Sequence, residues 1–126
     1  MSSRVRWINV DGVRCLYEDF SNLRENDFVR ELQEGEKALL AENSKVIFTL
    51  SNFTNSYMNN DVKKQSDQLM ENVSKQGKKL ISATFGISGL QRIIANAVKK
   101  DVYFAKSEAD AKSWIVENAK RNREAI

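Results

Sequence analysis

Apolar and polar positions alternate at the start of the chain. Val5, Trp7, Ile8 and Val10 predict a first strand. Asp11-Gly12 predicts a two-residue hairpin turn. Val13, Cys15 and Tyr17 then alternate in the returning strand, with Leu16 on its other face. The period changes after Leu23. Phe28, Leu32 and Leu39 recur at helical spacing, with Val29 and Leu40 beside them. The opposite face of that helix is acidic, from Glu25 to Glu42, and Asn22 and Asn26 both qualify as its cap.

Residues 46–50 form a near-continuous apolar run, which predicts a strand covered on both faces. Residues 51–59 read as a polar loop. A second helix follows near Asn60, with Val62, Ser66, Leu69 and Val73 on one stripe and Met70 beside it. Gln76-Gly77 ends it, because glycine accepts the left-handed conformation of a helix stop. Residues 80–85 predict another strand, and the small residues of 86–89 a tight turn. A helix from Ser88 would place Leu90, Ile93, Ile94, Ala97 and Val98 on one face. Val102-Tyr103-Phe104 predicts a short last strand. Ser107 has the position of an N-cap, with Glu108 and Asp110 favourable in the first turn. The last helix is expected to bury Ala111, Trp114, Ile115 and Ala119, and to fray at the basic residues 120–123.

The predicted order is therefore β-β-α-β-α-β-α-β-α over residues 1–126. Strands alternating with helices imply one α/β domain with a mostly parallel sheet. The opening hairpin adds an antiparallel edge strand.

Composition narrows the chemistry. The 126 residues include no proline and five glycines, which suits short connections. Hydrophobic and charged contents of 41% and 29% are those of an ordinary globular domain. The net charge of +3 is too small to argue for nucleic acid, and the lysines at 63, 64, 75, 78 and 79 read as a solvated face. Cys15 is the only cysteine, and its alternation in a strand predicts a buried, inert thiol. Histidine is absent, which removes the commonest metal ligand and general base. No zinc site, Ser-His-Asp triad, cofactor or enzyme activity is expected. The glycines form no dinucleotide or Walker pattern. No signal-length apolar run opens the chain, and no stretch approaches ~20 apolar residues. No transmembrane segment is expected, and a cytoplasmic location follows by default.

The chain resembles the SpoIIAA-like proteins, relatives of STAS domains and of the CRAL-TRIO fold. Residues 15–23, 46–55 and 104–115 carry part of the resemblance, and residues 82–98 carry its most specific part. The resemblance implies a non-enzymatic switch or binding module. It also implies a hydroxyl-bearing turn before the helix, where a kinase phosphorylates the first hydroxyl residue of an Asp-Ser-Ser-Gly or Asp-Ser-Thr-Gly sequence. Here Gly86 stands in place of the aspartate and Ile87 in place of the modified serine, so Ser88 is the remaining hydroxyl. Asn52 stands where relatives carry an aspartate.

Parallel strands would bring the ends of 46–50 and 80–85 to one edge. Asn52, Thr54 and Asn55 would then lie near Gly86, Ser88, Gly89, Gln91 and Arg92. Open strand ends and a helix N-terminus suit a phosphate, a carboxylate or an acidic partner loop. The plainer reading is that Ser88 caps the helix, the glycines permit the turn, and Asn and Thr build the loop. Two functions compete. One is a regulatory module docking a protein partner or anion at residues 86–92, with a homodimer left open. The other is a carrier for a small ligand or lipid, which requires an apolar cavity near the loop between Phe53 and Met58.

Overall fold

The computed structural model describes residues 2–88 and 102–124. A hairpin opens the chain: β1 (Val5–Val10) pairs antiparallel with β2 (Val13–Asp19). Asp11 and Gly12 between them both have positive φ, 48° and 87°. That geometry matches the right-handed twist of the flanking strands. The chain continues through α1 (Glu25–Ala41), β3 (Val46–Asn52), α2 (Asn60–Lys75), β4 (Lys79–Phe85), β5 (Tyr103–Phe104) and α3 (Glu108–Glu124). The sheet order is β1-β2-β3-β4-β5, and every pair after the hairpin is parallel. The fold is thus α/β, with a five-stranded mixed sheet and three described helices.

Strands β2, β3 and β4 follow one another across the sheet, so both crossovers step the same way. A common handedness then puts α1 and α2 on the same face. There they bury Leu16, Ile47, Phe28, Leu39, Val62 and Val73 in one core. Burying one such Leu or Phe side chain stabilises the fold by roughly 1.5–3 kcal/mol. Helix α3 covers the other face, where Cys15, Tyr17, Leu50, Ala83, Ala111 and Ile115 form a second core. The alternation of β2 decides this division: Leu16 faces the first core, and Cys15 and Tyr17 face the second.

Several local expectations change. Neither Asn22 nor Asn26 caps α1. Arg24 holds the cap position without a side-chain hydrogen bond. Asn22 is drawn into a left-handed turn (φ 62°) and bonded to Asn55 instead. Strand β3 runs two residues past Leu50, because Ser51 and Asn52 continue the ladder opposite Thr84 and Phe85. Trp114 is only half-buried and stacks on Tyr103, with ring centroids 5.0 Å apart. Helix α3 continues to Glu124 rather than fraying at residue 120. Ser107 does cap it, accepting from the Asp110 N–H at 3.1 Å. The helix expected from Ser88 lies outside the described residues.

Candidate functional site

The carboxyl ends of β2, β3 and β4 lie side by side, and a segment of loop continues from each. Backbone bonds tie these segments together. The Phe20 N–H donates to Asn52 O (2.9 Å), Asn22 N–H to Thr54 O (2.9 Å), and Phe53 N–H to Phe85 O (2.9 Å). Gly86 sits against Thr54 so closely that a Cβ there would meet Thr54 Oγ1 and lie 2.8 Å from its backbone nitrogen. With φ at +79°, Gly86 is also in the region that favours glycine. Thr54 and Gly86 are therefore neighbours across the edge, and Gly86 and Ser88 are exposed there.

The polar side chains of this edge are largely spent on building it. Asn52 Oδ1 accepts from the Thr54 N–H (2.9 Å) and from Thr54 Oγ1 (2.6 Å), an Asx turn that holds the loop. Asn52 also lies beside the Tyr17 phenol and offsets part of the rise in its pKa. Asn55, with φ of 54°, donates from Nδ2 to Asn22 Oδ1 at 2.8 Å. Of the expected site residues, Asn52, Thr54, Asn55, Gly86 and Ser88 are described. Gly89, Gln91 and Arg92 lie outside the described residues.

A second feature lies beneath this edge, between the sheet and α2. It is a cavity of about 100 Å³. Among the described residues, apolar side chains dominate its wall, including Phe53, Met58, Leu69, Met70, Val102 and Phe104. Six polar residues line it as well: Glu18, Thr49, Ser51, Ser66, Ser82 and Thr84, all of them buried. Five of the six lie on one sheet face by register. Glu18 stands opposite Ser51, Ser51 opposite Thr84, and Thr84 opposite Phe104; Thr49 stands opposite Ser82.

The polar row is mostly satisfied within itself, as burial demands. Thr49 Oγ1 donates to Ser82 Oγ at 2.5 Å, and Ser51 Oγ donates to Glu18 Oε1 at 3.2 Å. Glu18 Oε2 packs against Gly35 of α1, in the space where a Cβ would lie. Thr84 differs. Its Oγ1 is buried and has no hydrogen-bond partner, and the residue is 7% exposed. Burying a hydroxyl without a partner costs on the order of 1–3 kcal/mol.

On the opposite sheet face, burial and the charge of Glu18 push the Cys15 thiol up to about 12. Burial, then Glu108, raises the Tyr17 phenol, whose hydroxyl donates to Glu108 Oε1 at 3.3 Å. Tyr103 donates to Asp110 at 2.9 Å, which raises the phenol. The Lys106 backbone N–H and that phenol hold the Asp110 carboxyl below its ordinary value. These three acid contacts fasten α3 to the sheet and its flanks. Among the described residues no group of three or more Cys, Asp or Glu side chains could hold a metal ion.

Sequence reasoning passed over the polar row. Thr49 was hidden in an apolar run, and Ser66 in a helical stripe. Only the strand register sets Glu18, Ser51 and Thr84 in line. Fold and site together define an α/β domain with a lined cavity on one face of its sheet. Searches against protein-family models, curated proteins and solved structures give no match to the chain. Among the described residues no helix is long and apolar enough to cross a membrane.

Proposed function

We propose that this domain is a non-enzymatic binding protein for a small, mainly apolar ligand held between the sheet and α2. The cavity supports this reading: it lies where Phe53 and Met58 meet the sheet, and it has an apolar wall and a polar floor. Ligand pockets are commonly built this way, with a few polar groups to set orientation. At about 100 Å³ the space suits a compact molecule, or the end of a longer amphiphile, rather than a large cofactor. The loop side chains of the carboxyl edge bond to one another, which favours the cavity over the edge as the place of recognition.

The test is a titration of the full chain with small aromatic molecules, followed through backbone amide shifts. Saturable shifts at Ser51, Ser66, Thr84 and Phe104 are expected. Shifts confined to surface residues, or none, would refute the reading.

Tyr57 favours a second reading, a regulatory module that docks a protein partner at the carboxyl edge. It is 47% exposed, on the loop that meets Gly86 through Thr54. Exposed tyrosines are frequent anchors of interfaces. In a pull-down with the full chain as bait, Tyr57→Ala and Ser88→Glu would each release a partner docked there. Capture indifferent to both variants would rule that edge out.

A further inference from the structure

Strand β1 is an open edge of the sheet: β2 pairs with it on one side, and no described strand pairs with it on the other. Its backbone divides by alternation. The Asp19 N–H donates to Arg4 O, which makes Arg4 and Asp19 a hydrogen-bonded pair. In an antiparallel ladder such pairs recur at every second residue. Arg6, Ile8 and Val10 therefore bond to β2, and Val5, Trp7 and Asn9 turn their N–H and C=O groups outward. Among the described residues no backbone group outside the ladder bonds to these three.

We propose that this edge pairs antiparallel with β1 of a second copy, joining two sheets across a two-fold axis at Trp7. Open edges are ordinarily defended by lysine, proline or a bulge. β1 has no lysine or proline, and its register with β2 is unbroken. Its one charge is folded back over β2. The Arg6 guanidinium lies 4.9 Å from the centroid of the Tyr17 ring and donates to Ser3 O at 3.2 Å. Trp7 and Ile8, both half-buried, remain at the edge.

The outward groups also set the register. They all pair only when Trp7 meets Trp7 and Val5 meets Asn9 on either side of the axis, each pair exchanging its backbone hydrogen bonds. That register is matched in charge. Arg6 stands opposite Ile8 of the second copy rather than opposite Arg6, so the like charges are kept apart. Asp11, exposed in the hairpin turn, comes to the end of the shared ladder beside Ser3 of the other copy, where the Arg6 guanidinium already sits. The two-fold axis brings this acid and base together at both ends.

Sedimentation equilibrium and amide hydrogen exchange of the full chain, over a range of protein concentrations, test this. The mass is expected to rise from one chain to two and to stop there. As it rises, exchange at the Val5, Trp7 and Asn9 amides should slow, while the Arg6 and Ile8 amides are slow throughout. Ile8→Lys sets a like charge opposite Arg6, and Ile8→Glu sets an opposite one. The Glu variant should therefore dimerise about tenfold more tightly than the Lys variant. A natural chain that stays single at millimolar concentration, or that grows past two, overturns the inference. A dimer whose Val5, Trp7 and Asn9 amides exchange as fast as in the single chain overturns it too, because its interface lies elsewhere. So does an Ile8→Lys protein that dimerises as tightly as Ile8→Glu. The mass and the exchange pattern of the natural chain decide the matter even if a variant does not fold.

Discussion

Glu18 Oε2 occupies the space that a side chain on Gly35 would need. A strand carboxylate and a helix glycine are thereby matched across the first core. Glycine in a helix interior ordinarily costs about 1 kcal/mol relative to alanine. Here the contact with Glu18 explains why alanine would not serve. Gly35→Ala is expected to lower stability by about 1–2 kcal/mol net, the overpacking exceeding the gain in helix propensity. In a Glu18→Ala background the same change should stabilise by up to about 1 kcal/mol. Urea unfolding of the four proteins of this cycle measures it; a Gly35→Ala effect of the same sign in both backgrounds refutes the match.

Gly86 carries a different constraint, imposed by backbone. Its positive φ and the Thr54 nitrogen 2.8 Å from a would-be Cβ both oppose any side chain. Gly86→Ala should cost about 1–3 kcal/mol. Pairing it with Thr54→Gly should recover little of that, because the Thr54 backbone remains in place. Full recovery in the double variant, read by thermal melting, would show that the side-chain clash alone mattered.

The Cys15 thiol gives stability a dependence on alkaline pH. In the folded chain it titrates at about 12, against an ordinary value of 9.0. The unfolded chain therefore loses this proton first. The group's contribution is complete below pH 9 and declines as pH rises toward 12, by about 1.4 kcal/mol per pH unit. Urea midpoints taken at pH 8, 9 and 10 should fall less steeply for Cys15→Ala than for the natural chain. Parallel slopes would contradict this. The same burial predicts that a thiol reagent at pH 8 labels Cys15 only as fast as the chain opens.

Lys78 closes the end of α1. No basic residue lies in the last turn of that helix. The Lys78 ammonium, arriving from beyond α2, donates to Leu39 O and Leu40 O at 2.8 Å each. A cation there also answers the negative end of the helix dipole. Lys78→Met keeps most of the stem and should cost about 1 kcal/mol, a fall of about 4 °C in melting temperature. Lys64→Met, on the same basic stretch but exposed, should change it little. Equal effects of the two would mean that the carbonyl contacts contribute nothing.

Secondary structure was legible because each element advertised its period. The alternation of Val13, Cys15 and Tyr17, the helical stripe from Val62 to Val73, and Asp11-Gly12 are local signals that burial reinforces. Terminal details were less legible. Asn22 has the chemistry of a cap, but a bond to Asn55, distant in sequence, claims its side chain. Trp114 sits at a helical interval suited to the core, yet stacking on Tyr103 leaves it half-covered.

From residue types and spacing alone, the chain determined its α/β class, its opening hairpin and the carboxyl edge where Thr54 meets Gly86. Those follow from periodicities of two and 3.6 residues and from turn chemistry, which act over a few neighbours. The cavity and its polar floor were decided only by tertiary structure. Glu18, Ser51 and Thr84 are separated by 33 positions at each step, and nothing local marks them as a set. Parallel register placed them in one row, and the covering helices removed water from them. Burial made Thr84's spare hydrogen bond costly, because in solvent any hydroxyl finds a partner and within a core only an aligned neighbour or a ligand can supply one.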